Sequence, residues 1–124
     1  MTTDVRVIHG REFLKATAQG VYDLEQSKAA LLQIASVNLS PAGIDVLIDV
    51  RDAPSYLPLT DLWALAVEFA RLQIGAGRRT AVLTSADRYE NAHFFAISAR
   101  NMGLSVQAFT SFEEAFEWMA PAVP

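Results

Sequence analysis

The chain has no cysteine, which excludes disulfides, thiolate catalysis and cysteine-based zinc or iron–sulfur sites together. Histidine is nearly as scarce. His9 and His93 are the only two; one falls in an expected hairpin turn and the other in an expected helix, a placement that suits solvated surface better than a triad or metal site. Positive charge is short as well. Ten Lys and Arg against fourteen Asp and Glu leave a net charge of −4, a field that repels phosphate backbones, so nucleic acid is not an expected partner. No apolar run is long enough to cross a bilayer, and Met1 to Val7 carries Asp4 and Arg6 where a signal peptide would have its apolar stretch. A cytoplasmic protein with no cofactor, no metal and no transmembrane segment is expected. Asn38-Leu39-Ser40 matches a glycosylation acceptor, which without secretion is a chance match.

Core material, by contrast, is plentiful. Of 124 residues, 52% are hydrophobic and 19% charged, enough for one domain over 1–124 and too few residues for a second core. The run Ile44 to Val50 (IDVLIDV) is crowded with β-branched residues and breaks off into Arg51, Asp52, Ala53 and Pro54. It reads as a strand buried on both faces of a mostly parallel sheet.

Around it, periodicity and turn residues place the other elements. Val5 and Val7, then Phe13 to Ala16, read as a hairpin about His9-Gly10. Asp23 to Ser36 has helical spacing, and Pro41 and Gly43 end the connection to the central strand. Thr60 is the expected N-cap of a second helix running to about Gly75, followed by a strand from Arg79 to Ser85. Asp87 and Glu90 have capping-box spacing for a third helix that Gly103 ends; Ser105 to Phe109 is the last strand, and Ser111 with Glu114 opens a final helix. The order β-β-α-β-α-β-α-β-α predicts an α/β domain with one mixed, mostly parallel sheet and helices packed against it.

In open α/β sheets, ligands and partners are met at the carboxyl ends of the strands. Asp49, Arg51 and Asp52 follow one strand, Thr84, Ser85, Asp87, Arg88 and Tyr89 the next, and Thr110 and Ser111 the last. This polar rim suits a small polar ligand or a partner peptide, while helix capping and an ion pair at Arg51 are the simpler account of the same residues. Catalysis has little support. Ser85 lacks a Gly-x-Ser-x-Gly context, and an enzyme using Asp49, Asp87 and Tyr89 requires a raised carboxylate pKa in a cleft.

The element order, the strand ending in Leu47-Ile48-Asp49-Val50-Arg51, and the closing Val106-Gln107-Ala108-Phe109 with Glu114-Ala115 and Trp118-Met119 resemble the STAS superfamily. That superfamily holds the anti-sigma-factor antagonists and the cytoplasmic modules of sulphate transporters. The closer likeness is to the uncharacterised bacterial branch described as STAS-like or CRAL-TRIO-like. It covers nearly the whole chain, through pattern more than through an invariant motif. The antagonists carry a phosphorylatable serine, usually in Asp-Ser-Ser-Gly, at the start of the helix after the central strand. Here that stretch reads Asp52-Ala53-Pro54-Ser55-Tyr56-Leu57-Pro58-Leu59-Thr60-Asp61, without the tetrapeptide. Thr60 and Ser55 are the positions the resemblance offers for phosphorylation, and capping or turn chemistry explains both without it.

The second helix carries more apolar surface than one sheet contact needs. Leu62, Leu65, Ala66, Phe69 and Leu72 form its core face, and Trp63, Val67, Ala70 and Ile74 extend the stripe. In the third helix Ala92, Phe95, Ala99 and Met102 make the core face, which leaves Phe94 and Ile97 outside it. STAS-like topology makes these helices neighbours. Trp63, Val67, Ile74, Phe94 and Ile97 then form a partner or dimer patch, or a neighbouring element covers them. Phe109, Phe112, Phe116 and Trp118 read as core and lid residues. The leading expectation is a non-catalytic regulatory module acting as a homodimer or on a protein partner. The alternative is a carrier of a small apolar molecule or lipid, of CRAL-TRIO character.

Overall fold

The structure is a computed structural model that describes residues 4–9, 13–37, 45–54, 57–74 and 78–119. Its elements follow the expected order: β1 (Asp4–His9), β2 (Phe13–Gln19), α1 (Leu24–Val37), β3 (Asp45–Asp52), α2 (Leu59–Arg71), β4 (Arg79–Leu83), a 3-10 turn (Ala86–Arg88), α3 (Tyr89–Asn101), β5 (Ser105–Phe109) and α4 (Phe112–Met119). The strands lie side by side in chain order. β1 pairs with β2 antiparallel, and β2 through β5 pair in parallel. His9 is the last residue of β1, paired with Leu14, and not part of the turn. Gly10, Pro41 and Gly43 lie outside the described residues.

Sequential parallel strands joined by right-handed crossovers carry every crossover helix to the same face of the sheet. Accordingly α1, α2 and α3 share one face, where Leu14, Val46, Ile48, Val82 and Val106 meet Leu31, Ile34, Leu65, Phe69 and Phe95. Alternate residues of the same strands, Leu47, Ala81, Leu83 and Phe109, turn the other way to Ala115 and Met119 of α4. Phe69 is fully buried and stands edge-on to Phe95, with ring centroids 5.5 Å apart, locking α2 to α3. No helix of the described residues is long and apolar enough to cross a membrane.

Helix ends follow local chemistry, with three departures from expectation. Asp23 and Gln26 form a reciprocal capping box on α1, with hydrogen bonds of 2.7 and 3.0 Å. Gly103, at φ +94°, closes α3 in a Schellman motif: Leu104 N–H donates to Ala99 O and Gly103 N–H to Arg100 O. At α4 the Ser111 hydroxyl accepts from Glu114 N–H at 3.4 Å.

The first departure is at Thr60, which is not the cap of α2. Pro58 holds that position, and Thr60 is exposed within the first turn; Pro58 has the extended ψ that lets its carbonyl accept the N–H groups of Asp61 and Leu62. Second, Asp87 lies inside the 3-10 turn and does not cap α3. Third, α2 stops at Arg71. Gln73 adopts φ +59°, reversing the chain so that Ile74 turns back into the core at 1% exposure. Ile74 is therefore not part of a surface patch.

Candidate functional site

β3 runs two residues beyond the expected strand, so Asp49, Arg51 and Asp52 are strand residues. Their alternation decides their roles. Asp49 and Arg51 share the α4 side and close on each other: the Arg51 guanidinium donates to both Asp49 oxygens at 3.0 and 2.8 Å, and Arg51 N–H donates to Oδ1 at 3.1 Å. Burial pushes the Asp49 carboxyl up. The Arg51 hydrogen bonds and the charges of Arg51 and Lys15 outweigh it and hold Asp49 below its ordinary value. A general acid needs a shift in the other direction. Asp52 is exposed, and its carbonyl takes the Gly20 N–H at 3.1 Å.

At the end of β4, Ser85 Oγ donates to Asp87 Oδ1 at 2.6 Å. Tyr89 stacks on His93 at 5.5 Å and 12°. Thr84 is fully buried; its backbone N–H continues the pairing to Phe109 O at 2.8 Å. Ser55 lies outside the described residues. Among the described residues, no group of three or more His, Asp or Glu side chains is placed to hold a metal ion.

Arg88 behaves unlike the rest of the rim. Its side chain is 9% exposed, and Nη2 donates to Val50 O at 3.2 Å and Arg51 O at 2.9 Å, tying the start of α3 to the end of β3. It also lines a cavity of about 170 Å³ between the sheet and α1, α2 and α3. The wall is apolar, with Ala16, Ile48, Leu65, Val82 and Phe95 on it, and Ser27, Thr84 and Asn91 add polar groups. Sequence reading placed Arg88 on the rim and gave no sign of the cavity, which exists because small residues such as Ala16, Ala30 and Ala92 face one another across the layers.

A second structural carboxylate was also missed. Asp45, 5% exposed, accepts the Arg79 N–H at 2.9 Å and Arg78 Nε at 3.1 Å, pinning β3 to the start of β4. Arg79 continues to α4, donating to Trp118 O and lying 5.6 Å from its ring, while Arg71 pairs with Glu68. These three arginines hold separate structural positions.

Among the described residues, exposed aromatic side chains mark two apolar surfaces, besides the single exposed Val21, Leu32 and Leu59. On α2, Trp63 is 54% and Val67 37% exposed; on α3, Ile97 is 38% exposed and Phe94 is half-buried. Trp63 and Val67 are the fifth and ninth residues of α2, and Phe94 and Ile97 the sixth and ninth of α3. As successive crossovers the two helices run in one direction and pack side by side. The other surface corrects the lid reading of the aromatics. Phe112 and Phe116 are 37% and 36% exposed, stack on each other at 6.1 Å, and touch Phe13 and Lys15.

No protein-family model and no curated protein matches the chain. Solved structures do. An uncharacterised protein of the DUF3478 family with a SpoIIAA-like fold, from Shewanella loihica PV-4, superimposes with a TM-score of 0.63 at 16% identity, covering 95% of this chain and 94% of that one. An anti-sigma factor antagonist from Mycobacterium paratuberculosis gives 0.68 at 14% identity, with the same coverage of 95% and 94%. The chain has the SpoIIAA-like fold.

Proposed function

We propose that the protein is a non-catalytic regulatory module that binds another protein through the outer side of α2 and α3. The observation that carries this reading is Trp63. It is the most exposed of the aromatic side chains described, at 54%, and among the described residues no other ring or cation stacks on it. Exposed tryptophans of this kind are over-represented among residues that dominate binding energy, and Val67 on the same helix and Ile97 on the neighbouring α3 are exposed apolar side chains as well. The phenylalanines on the opposite side pack on one another instead. The shared fold with an anti-sigma factor antagonist, by its name a protein that opposes another protein, supports a protein as the occupant. The lack of cysteine suits a reducing cytoplasm.

Thr60 lies on the same side of α2 as Trp63, three residues earlier, so a phosphate there would alter the charge of this surface.

A photo-reactive amino acid at position 63 tests the reading in cells. One heterologous chain should be trapped, and that chain, purified, should bind Trp63→Glu about tenfold or more weakly than the unsubstituted protein. A trapped second copy of this chain would replace the heterologous partner with a homodimer. Equal binding by Trp63→Glu would overturn the docking surface.

The cavity favours a second reading, a small-molecule site. At about 170 Å³ it is close to cavities that hold a benzene ring, which supports a compact guest and gives no support to a carrier of long acyl chains.

A further inference from the structure

The cavity lies where parallel α/β sheets present ligands, at the carboxyl ends of β2, β3 and β4. Ser27 of α1, Leu62 of α2 and Asn91 of α3, all near the N-terminal ends of their helices, line it. The positive ends of these helix dipoles lie toward its mouth, and the first turns of the same helices carry Glu25, Asp61 and Glu90. Arg88 adds a full charge at 9% side-chain exposure.

That charge is incompletely met. Nη2 is taken by the Val50 and Arg51 carbonyls, which are neutral. Among the described residues Asp87 alone comes within ion-pair range, at 3.7 Å from Nη1, and its side chain is 61% exposed. That separation is too long for a hydrogen bond, and a guanidinium is stabilised in a buried setting when a carboxylate takes its remaining donors. The wall beyond it is apolar, which a fully hydrated inorganic anion would not fill.

We propose that this cavity binds a small organic carboxylate with a compact apolar body, the body lying against Ala16, Ile48 and Phe95 and the carboxylate pairing with Arg88. The proposal rests on the small-molecule reading of the cavity and names its chemistry. Asn91 and Thr84 line the same cavity and stand as the neutral donors for the second carboxylate oxygen.

Titration with benzoate and with its uncharged analogue benzamide, followed by backbone amide NMR and calorimetry, tests it. Benzoate should shift amides near Ala18, Val50 and Ala92 and bind about tenfold or more tightly than benzamide. Ala92→Leu, which narrows the cavity and keeps the Arg88 guanidinium, should abolish binding of both. Arg88→Met should remove the preference for the charged ligand; the Ala92→Leu comparison stands even where Arg88→Met fails to fold. Equal affinities for benzoate and benzamide would overturn the carboxylate proposal and leave the small-molecule reading intact. No binding by either would overturn both.

Discussion

On one face of the sheet three helices cover an apolar surface. On the other, among the described residues, one eight-residue helix covers part of it, and Asp45, Asp49, Arg51 and Lys15 fill much of what remains. Both faces come from alternate residues of the same strands. The difference originates in connectivity, because sequential parallel pairing with right-handed crossovers sends every crossover helix one way. Where fewer helices cover the sheet, charged side chains enter its surface, and the buried Asp45 and Asp49 of β3 are each paired with an arginine there. The helical face has the converse features. It is thick enough to hold an open cavity, and its outer side carries the exposed tryptophan.

The largest effects should separate the faces by stability. Phe69→Ala removes a fully buried ring and should cost about 3–5 kcal/mol, while Phe116→Ala, on the α4 side, should cost about 1–2 kcal/mol because the residue is already 36% exposed. Chemical denaturation of both variants measures the contrast, and similar losses would erase it. Next comes Asp45→Ala. It strands the Arg79 N–H that Asp45 accepts at 2.9 Å, and should cost about 1–3 kcal/mol.

Asp49→Asn sharpens the comparison through pH. The Asp49 carboxyl is held below its ordinary value in the folded chain, so its contribution is complete above the unfolded value of about 4 and is lost as pH falls through the folded value. The unsubstituted protein should therefore exceed Asp49→Asn by about 1 kcal/mol at pH 7, Arg51 being half-exposed. Denaturation curves from pH 7 down to about pH 2 should converge as Asp49 protonates. A constant gap would mean the ion pair is not its source. The smallest effect is expected at Thr60→Ala. Thr60 is not the cap, so the loss should stay below about 0.5 kcal/mol, against about 1 kcal/mol for a genuine N-cap.

The fold was legible because its signals are local. The β-branched run at Ile44–Val50, the glycine at 103 and the paired Ser111 and Glu114 each specify an element or an end without help from the rest of the chain. The site was legible only in outline. Asp49, Arg51 and Asp87 were found at strand ends, but which face each side chain takes follows from register, and whether it bonds inward follows from neighbours distant in sequence. Arg88 reaches Val50 and Arg51 from 38 and 37 residues away, and Asp45 reaches Arg78 and Arg79 from 33 and 34. Ile74 was misplaced because a non-glycine residue, Gln73, takes the left-handed conformation that ends α2, a choice that composition does not announce. A cavity leaves no mark in a single chain, since it is a mismatch of side-chain volumes between layers.

The most direct test of the docking account is hydrogen–deuterium exchange of the protein alone and bound to the chain trapped at position 63. Peptides covering α2 and α3 should gain protection, with β2, the end of β3 and α4 unchanged. Protection centred on Phe112, Phe116 and the Asp49–Arg51 pair, with α2 and α3 unchanged, would contradict it and move recognition to the opposite face of the sheet.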